Sequence, residues 1–378
     1  MIIGVPKEVK KSEYRVGMGP NSVFELVSQG HAVIIQKGAG EGIDCSDQDY
    51  VEAGAEIVET AKETFIRADM VVKVKEPQLH ECAWLREGQV LFTYLHLAAD
   101  PAQAKALMES GCTAIAYETV TDSRGGLPLL SPMSEVAGRL SIQAGTHALE
   151  RTQGGRGVLL GGVPGVEPAS VVVIGAGVVG SNAARMAMGL GAQVVILDRW
   201  LPRLQELDAL YGSRLTTVFA TRAAIQQHVK HADLVIGAVL VPGAAAPKLV
   251  TRDMLQTMHR GSVIVDVAID QGGCFETSHA TTHDEPTYVV DGVVHYCVSN
   301  MPGAVPRTST FALNNATLPF VSILANKGVK KALMDDPHLL NGLNVYRGQI
   351  THPAVAASLE EAYVSPLTAL TQMSPIQC

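Results

Sequence analysis

The chain has 378 residues, of which 47% are hydrophobic and 17% are charged, and its formal net charge is −8. At roughly 100–200 residues per domain, this length predicts two globular domains instead of one core. The negative charge argues against nucleic acid as a partner, because phosphate binding needs a basic surface. No stretch is long and apolar enough to predict a membrane span, and the N-terminal residues lack the pattern of a secretory signal.

The six cysteines are scattered along the chain, and no two of them have CxxC spacing. This pattern predicts neither a zinc site nor a disulfide framework, so no bound metal is expected. Buried free thiols are typical of a protein that resides in the reducing cytoplasm. The cysteines are Cys45, Cys82, Cys112, Cys274, Cys297 and Cys378.

The first third of the chain alternates short β-branched runs with helical patterns. The predicted strands are MIIGV (1–5), HAVIIQ (31–36), DMVVKVK (69–75), QVLFTYLH (89–96) and CTAIAYE (112–118). Helices are predicted at 21–30, with Asn21 as N-cap, and at 101–111, and each closes with a glycine C-cap. Strand and helix in alternation predict a parallel, doubly wound sheet.

A helical pattern at 134–150, with Ser134 as its N-cap, follows a turn-rich stretch, and a glycine-rich loop at 154–168 comes next. The alternation then resumes, which predicts a second doubly wound sheet. Its strands are predicted at 171–174, 193–198, 214–219, 231–239, 261–270 and 293–300. From residue 301 onward the pattern is mostly helical. The fold class expected is α/β, with two Rossmann-like domains.

Gly175, Gly177 and Gly180 form the motif GAGVVG between an apolar strand and a helix. In such a turn the first glycine permits the tight bend, the second admits a pyrophosphate, and the third allows close helix packing. The helix N-terminus then offers free N–H groups to the phosphates. Asp198 lies 18 residues after Gly180; its carboxylate would accept hydrogen bonds from a ribose and repel a 2′-phosphate. NAD is therefore favoured over NADP, although Arg199 could pair with such a phosphate. The alternative interpretation of the motif is a plain turn whose glycines are needed only for packing.

Polar side chains also stand at predicted strand ends, where open parallel sheets bind ligands. They are Lys75, His96 and Asp270, and Arg15 follows the first strand. Each has an ordinary alternative: a solvated lysine or arginine, a structural histidine, or a turn-capping aspartate with Asp266 as a competitor. Taken together, the cations suit a substrate carboxylate, the histidine suits proton exchange near neutrality, and the carboxylate suits an iminium-like centre. This set favours oxidation of a small amino acid.

Over nearly its full length the chain resembles the alanine dehydrogenase / pyridine nucleotide transhydrogenase family. The resemblance lies in the segments GVPKEVKKSEYRV, VKVKEP, YLHLA, SPMSEVAGR, GVLLGGVPGV, VVVIGAGVVG, VDVAIDQGGCFET and VSNMPGAVPRTST. It implies reversible oxidation of L-alanine by NAD and water to pyruvate, ammonium and NADH. By motif, Arg15 and Lys75 would hold the substrate carboxylate, His96 would be the general acid/base, and Asp270 would be the second catalytic residue.

The resemblance also implies a cofactor site, a domain plan and a homohexamer. A substrate domain, 1–128 and 306–378, would be interrupted by an NAD-binding Rossmann domain, 129–305. The residues implied as cofactor contacts are Ser134, Gly175, Gly177, Val178, Val179, Gly180, Asp198, Arg203, Ala220, Val239, Leu240, Val267, Ala268, Ile269, Asp270, Val298, Ser299, Asn300 and Met301.

The chain departs from the family pattern at a few positions. Ser12 precedes Glu13 where asparagine is usual, Gly17 follows Val16 where alanine is usual, Ala220 replaces a common serine, and His279 stands where a basic residue is frequent. A Glu/His pair that some members use for magnesium is not seen at 320–327. Three alternatives stay open: an amino- or imino-acid dehydrogenase of the saccharopine or lysine type, a transhydrogenase component, and a catalytically silent NAD-binding sensor.

Overall fold

The structure is a computed structural model that describes residues 1–239 and 246–371. The chain divides into two units, each with its own sheet. The first unit consists of Met1–Met133 and Val305–Cys378, and the second of Ser134–Ala304. The substrate-binding and cofactor-binding roles of the two units stay predictions.

The strands of the described residues are short and mostly buried. In chain order they are β1 Ile2–Val5, β2 Ala32–Gln36, β3 Glu56–Val58, β4 Met70–Val72, β5 Val90–Thr93, β6 Thr113–Ala116, β7 Ser170–Ile174, β8 Gln193–Asp198, β9 Thr216–Phe219, β10 Leu234–Gly237, β11 Val263–Asp266, β12 Thr287–Val290, β13 Val293–Tyr296, β14 Leu343–Tyr346 and β15 Gln349–Ile350.

The helices connect these strands on both faces of the sheets. They are α1 Pro20–Ser28, α2 Asp47–Glu52, α3 Ala61–Arg67, α4 Leu79–Cys82, α5 Pro101–Ser110, α6 Ser131–Ala148, α7 Val178–Gly189, α8 Leu201–Tyr211, α9 Arg222–His231, α10 Arg252–Gln256, α11 Pro306–Lys327, α12 Val329–Asp335, α13 Pro337–Leu340, α14 Pro353–Leu359 and α15 Pro366–Thr371. Within the described residues, no helix has the length and apolar character needed to cross a membrane.

The sheet of the first unit has the order β15-β14-β6-β5-β4-β1-β2-β3. The pairs from β6 to β3 are parallel, whereas β14 is antiparallel to both β6 and β15. Strands β5 and β6 are buried along their whole length, as expected for a parallel sheet covered on both faces. One core cluster joins Leu91 and Leu95 to Val345 and Ile350, so the C-terminal segment completes this unit.

The sheet of the second unit has the order β12-β13-β11-β10-β7-β8-β9, with β12 as its antiparallel edge. The other pairs are parallel. The chain reverses its direction of winding between β7 and β10, which is the position where doubly wound sheets bind ligands. The α/β fold class predicted from the sequence is confirmed.

Several local predictions need correction. Helix α1 begins at Pro20 with Gly19 as N-cap, so Asn21 is not the cap; proline suits the first turn because its missing N–H has no partner there. Its C-cap is Gln29, and Gly30 follows one residue later with φ +86°. Helix α6 begins at Ser131, so Ser134 lies inside it.

Helix α5 matches its prediction, because the Asp100 side chain accepts from the Gln103 N–H at 3.0 Å and Gly111 closes the helix with φ +67°. The segment after residue 301 is mostly helical, as predicted, and the short strands β14 and β15 also lie within it.

Candidate functional site

In the first unit, the loop after β1 buries Arg15, whose side chain is only 2% exposed. Glu13 holds the guanidinium through two hydrogen bonds, from Nε at 2.6 Å and from Nη2 at 2.5 Å. Burial lowers the pKa of Arg15, but the Glu13 carboxylate outweighs this effect and the net pKa is raised. Nη1 also lies 3.1 Å from the Sδ of Met133. The two-pronged contact fixes the plane of the guanidinium and occupies its Nε and Nη2 edge.

Lys75 lies three residues beyond the end of β4 and is half-buried. Burial lowers the pKa of its ammonium, and the neighbouring Arg15 lowers it further, while Glu76 and Glu13 oppose the change. Its side chain makes no ion pair or hydrogen bond within the part of the chain that the structure describes. Lys75 therefore brings a positive charge close to Arg15 that the described residues do not neutralise by direct contact, which suits an external anion.

Lys73 has a different environment from Lys75, although it stands only two residues earlier. Its ammonium is fully buried, 3.1 Å from an oxygen of Glu81 and 3.4 Å from an oxygen of Glu8. The other oxygen of Glu8 accepts from the backbone N–H groups of Val74 at 2.7 Å and Lys75 at 3.3 Å. This buried cluster supports the backbone beneath Lys75, so Lys73 is structural.

His96 lies three residues beyond β5, and its side chain is exposed. Its backbone is in the left-handed region, with φ +51°, which is uncommon for a residue other than glycine. The Glu118 carboxylate stabilises this bend by accepting from the N–H groups of His96 at 2.6 Å and Leu95 at 3.1 Å. The imidazole lies parallel to the buried Tyr94 ring at 6.0 Å, and the Tyr94 hydroxyl donates to the Leu129 carbonyl at 2.6 Å.

In the second unit, the GAGVVG motif forms the turn between β7 and α7. Gly175 has φ +102°, and a Cβ on Gly180 would lie 1.8 Å from the Gly175 carbonyl oxygen. A Cβ on Gly177 would meet nothing within 4 Å, and no side chain caps the N-terminus of α7. Two of the three glycines are thus required by the turn itself, while the space at Gly177 and the uncapped N–H groups suit a bound phosphate.

Asp198 ends β8 beside this turn, and backbone groups hold its carboxylate. One oxygen accepts from the Ala176 N–H at 2.6 Å and the other from the Trp200 N–H at 2.8 Å. Arg203 donates to the Ala176 carbonyl at 3.0 Å and to the Ser181 hydroxyl at 2.8 Å. Ala220 follows β9 and is buried, and its N–H donates to the Asp198 carbonyl. Asp198, Arg203 and the glycine turn are therefore brought together.

Asp270 lies in a 3-10 turn, Ile269–Gln271, that follows β11, and its side chain is exposed. Asp266, the competing aspartate, is fully buried at the end of β11. The Val267 N–H donates to the Gly237 carbonyl at 2.9 Å, which ties this segment to β10. Val239 follows β10, and its side chain lies near Gly175. Leu240 lies outside the described residues.

The remaining predicted contacts lie at two further places in the second unit. Ser134 is half-buried inside α6, three residues after the start of the helix. The segment after β13 contains the buried Val298 and Met301, and Asn300 takes a left-handed backbone with φ +60°. The Ser299 N–H donates to the Thr281 carbonyl at 3.2 Å. Among the described residues, no group of three or more His, Cys, Asp or Glu side chains is arranged to hold a metal ion.

Sequence reasoning did not identify the residues that hold the predicted site residues in place. Glu13 orients Arg15, Glu118 holds the backbone of His96, and Asp266 lies beneath the Asp270 turn. Glu13 could have been found from its position two residues before Arg15 within one charged loop. Glu118 and Asp266 act through backbone N–H groups, and the spacing of residues in the chain gives no sign of such contacts.

Two family models match adjacent parts of the chain, and the second continues beyond the second unit into the C-terminal segment of the first unit. The family model described as "Alanine dehydrogenase/PNT, N-terminal domain" matches residues 4–137, and "Alanine dehydrogenase/PNT, C-terminal domain" matches residues 141–353. The chain belongs to the alanine dehydrogenase/PNT family. A protein of this family from Halomonas elongata, named alanine dehydrogenase, is 62% identical over 96% of this chain and 98% of its own.

Two solved structures place the fold within the same family. One, described as L-alanine dehydrogenase, has a TM-score of 0.93 and 57% identity and covers 95% of this chain and 99% of its own. The other, a transhydrogenase from Sinorhizobium meliloti, has a TM-score of 0.81 and 27% identity and covers 94% of this chain and 100% of its own. These matches confirm the family that the sequence motifs predicted.

Proposed function

We propose that this protein catalyses the reversible oxidative deamination of L-alanine by NAD and water to pyruvate, ammonium, NADH and a proton. The observation that carries the proposal is the half-buried Lys75 ammonium, which has no direct partner in the described residues and lies beside an arginine already oriented by Glu13. A carboxylate ligand complements this pair of cations. The names of the relatives, alanine dehydrogenase at 62% and L-alanine dehydrogenase at 57% identity, support alanine as the source of that carboxylate.

Arg15 and Lys75 bind the substrate carboxylate, each in its own way. Arg15 is held in one plane by Glu13 and gives direction to the bound carboxylate. Lys75 contributes a compact positive charge whose position depends on the Glu8 and Lys73 cluster beneath its backbone. Because a bound anion relieves the repulsion between the two cations, this repulsion favours substrate binding.

NAD is the cofactor that fits the second unit best. The space at Gly177, the uncapped N–H groups at the start of α7 and the Asp198 carboxylate suit a pyrophosphate and an unphosphorylated ribose. When bound, NAD supplies the acceptor for the hydride from the substrate Cα. Arg203 supports the site by holding the Ala176 carbonyl within the glycine turn. The other contacts implied by the family resemblance, among them Ser134, Val239 and Val298–Met301, belong to the same proposal.

His96 and Asp270 handle the protons and the charge of the reaction. His96 takes a proton from the water that attacks the iminium carbon and returns one to the departing ammonia. The exposed imidazole suits this exchange, and Glu118 holds the backbone that orients it. Asp270 stabilises the positive charge of the iminium and orients the attacking water. These two assignments rest on the family motifs and on the position of both residues beyond strand ends.

The test is the appearance of reduced nicotinamide when purified protein is mixed with NAD and L-alanine at mildly alkaline pH. NADP, glycine, serine and lysine are run in parallel. Reduction with alanine and NAD alone is the expected result. Reduction with lysine but not alanine would instead support the saccharopine- or lysine-type alternative, and NADH binding without any reduction would support the silent sensor.

Replacing His96 with alanine is expected to lower kcat by at least a hundredfold, since a positioned acid/base contributes roughly 10²–10⁴-fold. NADH affinity, measured by fluorescence titration, should remain within about threefold of the original protein. His80 is also an exposed histidine of the first unit, and its ring meets the ring of Trp84 edge-on, so H80A serves as the matched control. Unchanged turnover in H96A would remove His96 from the mechanism.

The assembly of the protein and its location in the cell are also part of the proposal. The family resemblance favours a homohexamer in the cytoplasm, without nucleic acid or membrane partners. The five cysteines in the described residues are buried free thiols, which supports a reducing compartment. Light scattering during gel filtration measures the assembly directly, and a mass other than six times that of the chain would contradict the hexamer.

A further inference from the structure

Asp266 is a buried acidic group that the proposed mechanism does not use. It ends β11, and none of its surface is exposed to solvent. Burial raises the pKa of its carboxyl, and hydrogen bonds from Ser278 and from the backbone at Cys274 and Phe275 oppose that change. A buried carboxylate is costly unless its oxygens are hydrogen-bonded, so its partners indicate what it does.

The partners of Asp266 come from both ends of the segment that carries Asp270. Oδ1 accepts from the Ala268 N–H at 3.2 Å, before the 3-10 turn. Oδ2 accepts from the Phe275 N–H at 3.3 Å and from the Ser278 hydroxyl at 2.6 Å, after the turn. One carboxylate thus bridges the two ends of the loop, in which only Asp270 is a candidate catalytic residue.

The loop also fits closely around this carboxylate. Gly273 has φ +78°, and a Cβ at this position would lie 2.4 Å from Oδ2 of Asp266. From the other side, the Lys248 ammonium donates to the carbonyls of Gly272 and Phe275, and the Ala246 N–H donates to the Gln271 carbonyl at 2.8 Å. The path of the loop is therefore fixed from the core by Asp266 and from outside by residues 246–248.

We infer that Asp266 is a positioning residue for Asp270: its carboxylate holds residues 268–278 in the conformation that presents the Asp270 side chain to the substrate. This inference rests on the proposed function, because Asp270 is its catalytic end point. Asp270 itself makes no described contact that could orient it, and its side chain is exposed. Its placement depends on its backbone, so loosening the clamp should misplace the reacting group, which can cost up to about a hundredfold in rate.

Asp266→Asn is the most direct test, because it keeps the shape and removes one acceptor. If the new NH₂ group takes the place of Oδ1, the Ala268 N–H loses its acceptor; if it takes the place of Oδ2, the Phe275 N–H does. Two quantities are measured: kcat per NADH-binding site, and amide hydrogen exchange of residues 267–278. We expect kcat to fall roughly ten- to hundredfold and exchange of this segment to become faster, with NADH affinity changed less than about threefold.

Asp233→Asn is the matched control. Asp233 is also a buried carboxylate of the second unit, and it accepts from the Ser170 N–H at 2.9 Å and from Arg156 at 2.6 Å. It precedes β10, at the end of the sheet opposite to Asp266. We expect D233N to lower the melting temperature without changing kcat per binding site or exchange at 267–278. If D233N lost as much kcat as D266N, Asp266 would contribute only to overall stability, and the inference would be overturned.

The remaining outcomes are also decisive. Unchanged exchange at 267–278 in D266N would overturn the clamp, and faster exchange with unchanged kcat would overturn the positioning role. If D266N does not fold, Ser278→Ala removes a single hydrogen bond to the same carboxylate and should give a smaller change of the same kind in both readouts. A wild-type protein that does not oxidise alanine would contradict the proposed function, while the exchange comparison would still decide whether Asp266 holds the loop.

Discussion

Lys75 and Lys73 show how two lysines in one short segment can have opposite roles. Lys73 is enclosed by two carboxylates, which raise its pKa despite complete burial. Lys75 has no such direct partner, and burial together with Arg15 lowers its pKa. The first lysine stabilises the folded chain, whereas the second is held in an unfavourable environment. A destabilising charge that persists in a fold commonly marks a functional site.

Replacing Lys75 with methionine should therefore raise the melting temperature while it weakens substrate binding. At neutral pH the charged Lys75 opposes folding, because its pKa is lower in the folded than in the unfolded state. If the gain is about 1 kcal/mol, the expected rise is roughly 2–4 °C. Differential scanning calorimetry and the KM for pyruvate measure the two effects, and KM should increase at least tenfold.

The pH dependence of the stability gained in K75M follows from the direction in which the pKa of Lys75 is shifted. Lys75 binds its proton more tightly in the unfolded state than in the folded state. The cost of its charge to folding stability is therefore fully present below its pKa in the folded state, and it is lost as pH rises toward the ordinary value of 10.5. The advantage of K75M should thus shrink between these limits. K37M is the control, because Lys37 forms an exposed ion pair with Glu59. A K75M variant less stable than the original at neutral pH would contradict this account.

At the scale of elements, the glycine turn was predictable because its geometry is local. The requirement for glycine at positions 175 and 180 follows from the strand-turn-helix pattern alone, and the structure shows the close contacts. The ends of helices were less predictable: Gly19 and Pro20 start α1, where Asn21 had the better capping side chain. A short cap signal is easily outweighed by the packing of the whole helix.

Some elements could not be predicted because their stability is not local. Strand β3 has three residues and β15 has two, and both are held by pairing with β2 and β14. Glu118 and Asp266 were missed for a similar reason, since each acts on a backbone that tertiary contacts bring to it. The sequence thus identified groups expected to meet a ligand, whereas the groups that hold them needed the fold.

Gly180→Ala tests the turn as an element. The added methyl group would overlap the Gly175 carbonyl, so we expect a lower melting temperature and at least a tenfold loss of NADH affinity. Gly189→Ala is the matched control in the same helix, because a Cβ there meets nothing within 4 Å. Alanine favours a helix more than glycine does, so G189A should be neutral or slightly more stable. Equal loss of NADH affinity in both variants would contradict a specific role for the turn.

At the scale of the molecule, two units with separate sheets are expected to differ in their response to ligands. A ligand that binds only the folded second unit stabilises it by about 2.7 kcal/mol at a hundred times its Kd. Amide exchange across a denaturant series can follow β7 and β8 separately from β1 and β5. NADH should raise the denaturation midpoint more for β7 and β8. A larger shift in β1 and β5 would contradict the assignment of the cofactor to the second unit.

The return of the chain to its first sheet has a consequence during synthesis. Strand β6 ends at Ala116, but the strand that covers its open edge, β14, begins at Leu343. A ribosome that adds about 5–20 residues per second needs roughly 10–45 s to make the intervening segment. A sheet that forms before β14 is made would expose the backbone groups of β6 throughout that time, and these groups can pair with another strand. Early folding of this unit would therefore leave an unpaired strand edge open to association for tens of seconds, whatever the stability of the finished fold.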